Sequence, residues 1–101
     1  MHKKNIAIAK DKIADFCRRH HIRKLSLFGS VLGPDFRSNS DVDVIVEFEP
    51  GHVPGLGLIR MQEEFSALLG GRKVDMLTPG FLNRRIRRQV LANAEVQYAE
   101  G

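Results

Sequence analysis

Three aspartates and a Gly-Ser pair are the residues whose types and spacing could do chemistry. Asp41 and Asp43 open a run, Val44-Ile45-Val46-Glu47-Phe48, that is otherwise β-branched and apolar. Aspartate is depleted in strands. Strand alternation turns residues i and i+2 to the same face, with Cα atoms roughly 6.5 Å apart. At an effective dielectric of about 20, two negative charges at that distance repel by about 2.5 kcal/mol. A proton on one carboxylate, or a cation between the two, relieves this. A divalent ion such as Mg2+, bound through carboxylates and substrate phosphates, suits the position. Asp75, flanked by Val74 and Met76 in a short apolar run, is the third carboxylate. Gly29-Ser30 follows the apolar pair Leu27-Phe28 and is a candidate phosphate cradle beside the ion.

Three carboxylates without a thiolate or imidazole among them describe a site for hard cations and phosphates. Phosphoryl chemistry by two metals uses such a set, and one carboxylate can take the proton of an incoming hydroxyl. Each piece has an ordinary explanation by itself. Gly-Ser after a strand is a common turn, Asp-Val-Asp is a polar loop entering a strand, and one Asp on an edge strand can simply face water. The combination in this order carries the reading.

The elements that must position these residues follow from periodicity. Ile6, Ala9, Ile13, Phe16, Cys17 and His20 recur at helical spacing and predict an amphipathic helix over residues 5–20. Lys24 to Phe28 reads as a first strand that Gly29 ends, with a short helical turn over Ser30 to Leu32 and a polar loop from Asp35 to Ser40. Val42 to Phe48 is the second strand, with the aspartates on one face and Val42, Val44 and Val46 on the other. Glu49 to Gly57, rich in Pro and Gly, reads as a mobile loop. Leu58, Met61, Phe65, Leu68 and Leu69 predict a second helix, stopped at Gly70-Gly71. Lys73 to Leu77 is a third strand. Thr78-Pro79 fits a helix start, and Ile86, Val90, Leu91 and Ala94 supply that last helix with an apolar stripe. Val96 to Tyr98 predicts a short closing strand. The expected fold class is α+β, an α/β sandwich with a small mixed sheet and flanking helices. Asp75 reaches the other two aspartates only if the third strand lies beside the second.

The chain has 101 residues, 43% of them hydrophobic, which supports one core and a single domain over 1–101. A net charge of +4 suits a phosphate-bearing or acidic partner. No run approaches the ~18 apolar residues of a membrane span, and the N-terminus lacks the apolar stretch of a signal peptide. The single cysteine, Cys17, makes no internal disulfide and reads as core, so a cytoplasmic location is expected. The four histidines show no ligand spacing along the chain and read as structural or solvated. The cluster Arg84-Arg85-x-Arg87-Arg88 reads first as a solvated helix face, next as a contact for an acidic protein, and last as a nucleic-acid site, because no aromatics interleave it.

Gly29-Ser30, ten residues and then Asp41-Val42-Asp43 resembles the Gly-Ser-x10-Asp-x-Asp signature of the DNA polymerase β-like nucleotidyltransferase superfamily. With Leu27-Phe28, Val44 to Phe48 and Val74-Asp75-Met76-Leu77-Thr78-Pro79, the chain resembles its minimal nucleotidyltransferase branch over about residues 5–98. The resemblance implies that Asp41, Asp43 and Asp75 hold two Mg2+ ions and that Gly29 and Ser30 contact the phosphates of ATP or another nucleoside triphosphate. It departs at Leu32-Gly33-Pro34, where family members often carry Ala-Arg-Gly, and Arg37 is the candidate replacement.

What the resemblance implies about function is transfer of a nucleoside monophosphate, AMP from ATP, to a hydroxyl. Larger superfamily members carry an acceptor-binding domain for which this chain has no room, so the acceptor is expected on another protein. The branch implies a tyrosine of a HEPN-domain toxin, with this chain as the antitoxin, in a homo- or hetero-oligomer. Two alternatives stay open: a non-catalytic antitoxin that acts by contact alone, and the catalytic subunit of a small-molecule nucleotidyltransferase.

Overall fold

The computed structural model describes residues 9–34, 36–37 and 39–100. The elements run α1 (Lys10–Arg19), β1 (Ile22–Phe28), a 3-10 turn (Gly29–Leu32), β2 (Val42–Phe48), α2 (Gly57–Leu68), β3 (Val74–Leu77), a second 3-10 turn (Pro79–Phe81), α3 (Arg84–Asn93) and β4 (Glu95–Ala99). This is the predicted order. Ile6 and the rest of the expected first helical turn, and Asp35 and Ser38 of the polar loop, lie outside the described residues.

The four strands form one mixed sheet in the order β3-β2-β1-β4. β1 pairs antiparallel with β2 and with β4, whereas β2 and β3 run parallel. A parallel pair needs a crossover, and α2 provides it. On one face of the sheet, α1 contributes Ile13, Phe16 and Cys17 and α2 contributes Met61 and Phe65 to a core shared with Leu25, Leu27, Val42, Val44 and Val46. The Phe16 and Phe65 rings meet at a 5.2 Å centroid distance in a tilted arrangement, so the two helices share this face. Cys17 is core, as expected: it is buried, and burial pushes its thiol up to about 12 against the pull of Arg18.

The last helix differs from the expectation. Thr78 makes no side-chain cap and Pro79 opens only a 3-10 turn. The α-helix starts at Arg84, where the side chain of Asn83 accepts from the Ile86 N–H at 3.0 Å. An Asx cap satisfies an orphan N–H at the helix start, which the Thr78 position does not. The apolar stripe of this helix is only partly covered, with Val90 and Ala94 half-buried. No α3 residue is buried, and Ile86 and Leu91 are 48% and 38% exposed. Helical spacing reports amphipathicity, not whether a neighbour covers the apolar side.

Candidate functional site

The site grows from the junction of β1 and β2. Phe28, the last residue of β1, is the register partner of Asp43, and Asp43 is in turn the register partner of Asp75. Adjacent strands lie ~4.8 Å apart, so Asp43 and Asp75 stand side by side on one face of the sheet. Asp41 stands one residue before β2 and, by alternation, on the same side as Asp43. The intervening Val42 is fully buried and its N–H donates to the Lys73 carbonyl at 2.9 Å, which locks the start of the parallel ladder. The two aspartates therefore project from a strand whose other face is anchored in the core.

The electrostatics match the placement. Burial pushes the Asp43 carboxyl above the usual carboxylate range, and the charges of Asp75 and then Asp41 push it further. Asp43 is half-buried while Asp75 is exposed. A partly desolvated carboxylate with two like charges beside it is relieved by a cation. The donors are all hard carboxylate oxygens, a set that fits Mg2+ better than a softer metal.

Gly29 closes the site from β1. Its backbone sits in the left-handed region at φ +78°, and a Cβ there would stand 2.5 Å from Asp43 Oδ2. Any other residue would both strain the turn and collide with the central carboxylate. Gly29 and Ser30 open the 3-10 turn, where helix N–H groups lack an intrahelical acceptor. Val31, fully buried, anchors that turn in the core. The expected Gly-Ser cradle thus lies directly beside Asp43. A groove of about 460 Å3 continues away from it, lined by Phe28, Gly29, Leu32, Gly33, Gln89, Val90 and Asn93. The groove meets the carboxylates through Gly29; none of the three aspartates lines it.

Two positioning residues have no signature in the sequence. Arg72, in the turn before β3, donates from Nη2 to the carbonyls of Arg37 at 2.8 Å and Ser40 at 3.3 Å, and its guanidinium lies 4.4 Å from the Phe36 ring centroid. It clamps the segment that leads into Asp41. Gln62 of α2 accepts the Met76 N–H at 2.9 Å through its side-chain oxygen. That covers a backbone donor of the edge strand next to Asp75. Arg37, the expected replacement for a basic phosphate contact, is exposed and contributes through its backbone, its N–H donating to Ser40 Oγ at 2.9 Å.

The arginine cluster divides. Arg84, Arg85 and Arg88 line a second groove of about 510 Å3, whereas Arg87 turns back to donate to the Leu82 carbonyl at 3.0 Å. Arg84 and Arg85 sit in the first turn of α3, where the helix dipole disfavours cations.

The chain has relatives among known proteins. The sequence pattern of the nucleotidyltransferase domain family matches residues 10–96. A Methanocaldococcus jannaschii protein described as a candidate protein adenylyltransferase is 32% identical over 90 residues, spanning 89% of this chain and 95% of that protein. The protein adenylyltransferase MntA of Thermococcus cleftensis is 36% identical over 74 residues, spanning 72% of each. Among solved structures, a candidate minimal nucleotidyltransferase superposes with a TM-score of 0.70 at 34% identity, over 84% of this chain and 85% of that one. A chain from a toxin-antitoxin structure with AMP-PNP superposes with a TM-score of 0.73 at 18% identity, over 91% of this chain and 74% of that one, a likeness of fold alone.

Proposed function

We propose a donor, an acceptor and residue roles for this chain, which belongs to the nucleotidyltransferase domain family and is a nucleotidyltransferase. In this reading the chain, one nucleotidyltransferase domain over 1–101, acts in the cytoplasm as the antitoxin of a toxin-antitoxin pair. It transfers AMP from ATP to a tyrosine hydroxyl of a HEPN-type toxin. The adenylyltransferase names of its relatives and the toxin-antitoxin neighbour with AMP-PNP support that choice. The observation that carries it is the alignment of Asp43 with Asp75 on adjacent parallel strands, with the backbone of Gly29 against Asp43.

Position supports the following roles. Gly29 and Ser30 receive the nucleotide's phosphates, and the groove beside Gly29 receives its nucleoside. Asp41, Asp43 and Asp75 would hold two Mg2+ ions. When bound, Mg2+ supplies the positive charge that offsets the phosphates and the developing negative charge. Asp75, the most exposed of the three, faces the incoming acceptor and takes its proton. The acceptor oxygen forms a bond to the α-phosphorus, the bond from that phosphorus to the β-bridging oxygen breaks, and pyrophosphate leaves.

The test is transfer from α-labelled ATP to the protein encoded beside this chain. Label on a tyrosine of that protein is expected with Mg2+ and the wild-type chain, and none with the Asp41→Asn/Asp43→Asn variant. Neutralisation of the partner without label would favour the contact-only reading, for which the Leu32-Gly33-Pro34 departure speaks. Label on a small hydroxyl compound in place of the protein would move the acceptor to that class.

A further inference from the structure

At the end of the β1–β2 hairpin farthest from Gly29, three side chains distant in sequence converge. The metal-ligating atoms of His21, Glu49 and His52 all lie within 4.8 Å of one another. The His21 Nδ1 to Glu49 Oε1 distance is 3.7 Å, and the two imidazoles stack with centroids 3.9 Å apart. Two ligands bound to zinc at 2.0–2.1 Å in a tetrahedron stand roughly 3.4 Å apart. The His21–Glu49 pair is therefore within a few tenths of an ångström of a zinc edge; for His52 to join, the two stacked imidazoles must swing apart so that both lone pairs converge on one ion, and both rings are exposed and free of the core.

The backbone holds this arrangement in place. His21 sits at φ 57°, the left-handed region, between α1 and β1, and its N–H donates to the Arg18 carbonyl. Its own carbonyl accepts the Glu49 N–H at 2.9 Å. Glu49-Pro50-Gly51-His52 then forms a turn closed by the His52 N–H on the Glu49 carbonyl at 3.0 Å. Proline at the second position and Gly51 at φ +82° at the third are the requirements of a type II turn. Each ligand's backbone is thus tied to the next. The Glu100 N–H donates to the Arg23 carbonyl at 2.8 Å, which ties the end of β4 to the start of β1 beside this cluster.

We propose that His21, Glu49 and His52 form a second metal site, for one divalent transition-metal ion of the Zn2+ class. Two imidazoles and a carboxylate make a borderline donor set that prefers Zn2+ over Mg2+. His21 and His52 are exposed, which leaves the remaining coordination positions open to water or to a further donor. The site is separate from the aspartates: five residues of β2 lie between Asp43 and Glu49, and six steps along a strand span roughly 20 Å. Its consequence is structural. One ion would clasp the α1–β1 junction to the β2–α2 turn and close the hairpin end that carries no chemistry. This inference does not depend on the proposed nucleotidyl transfer.

The experiment is titration of the untagged, metal-stripped chain with ZnCl2 by calorimetry, without Mg2+ or nucleotide, alongside thermal unfolding. An Asp41→Asn/Asp43→Asn background removes the competing carboxylates, and one Zn2+ per chain, with a raised unfolding temperature, is expected there. In that background His21→Asn/His52→Gln should weaken binding at least tenfold; asparagine tolerates the left-handed backbone at position 21. Glu49→Gln should weaken it as well, so the proposal does not hang on one variant's folding. His2→Gln/His20→Gln should leave binding unchanged. Absence of one-to-one uptake at micromolar Zn2+, or equal affinity in His21→Asn/His52→Gln and Glu49→Gln to that of the unmodified background, overturns the site. So does loss of binding in His2→Gln/His20→Gln, which would place the metal on the other histidines.

Discussion

The two faces of β2 do opposite work. Val42, Val44 and Val46 are fully buried beneath the rings of Phe16 and Phe65, and each contributes to holding the sheet against α1 and α2. One residue along, Asp43 faces the other way, half-buried beside Asp75 and Asp41, its ionised form disfavoured by burial and by both neighbours. The first face gains free energy from removing apolar area from water. The second gives some of that up to keep three carboxylates together. Burial and the proposed chemistry therefore fall largely on alternate residues of one strand, with Ile45, buried on the Asp43 side, as the exception, and substitutions on the two faces test how far the two are separate.

The sharpest way to break this separation is Asp75→Asn. Nucleotide binding should persist, because Asp41 and Asp43 remain, while transfer falls by ~10²–10⁴-fold, the usual worth of a positioned general base. Single-turnover transfer at saturating ATP measures it. A rate equal to wild type would make Asp75 a solvent-facing edge residue. On the opposite face, Phe65→Ala should cost about 3–5 kcal/mol of unfolding free energy through the cavity it leaves. Denaturant titration reads the loss, and the transfer rate per folded molecule should not change. A loss of rate in the folded fraction would mean that the faces are coupled.

Ser30→Ala is a smaller perturbation at the chemical face. It should weaken ATP binding by about 1.5–3 kcal/mol, one hydrogen bond to a charged group, with no change in stability. Calorimetric titration with Mg2+ and ATP checks this. Smallest is the pH dependence of the metal-free chain. The folded state keeps a proton on Asp43 at pH values where the unfolded state, near the ordinary 3.8, has released it. Folded chains then bind more protons than unfolded ones, so stability should fall as pH rises from 3.8 through the raised value. The midpoint of the wild type relative to Asp43→Asn should fall across that window, Glu64, whose lowered carboxyl acts in the opposite sense, being common to both. An identical slope in both would mean that Asp43 contributes none of the pH dependence.

Much of this is legible in the amino-acid sequence alone. The Gly29-Ser30 and Asp41-Val42-Asp43 spacing, the alternation along β2 and the helical spacing of Phe16 and Phe65 are local properties, set by repeat distances of 2 and 3.6 residues. Such periodicity determines which side chains share a face and which must be buried. It does not determine what lies opposite. That Asp75 aligns with Asp43 rests on β3 pairing parallel with β2 in one register, and a slip of one residue would have turned Asp75 into the core. Arg72 clamps Phe36, Arg37 and Ser40 across more than 30 residues of chain, and His21 meets Glu49 and His52 across a comparable span. The same limit explains α3, whose stripe is readable from spacing while the exposure of Ile86 and Leu91 on it is not. Sequence spacing encodes direction around an element's own axis. Contact between elements is decided only when packing and strand register bring distant segments together.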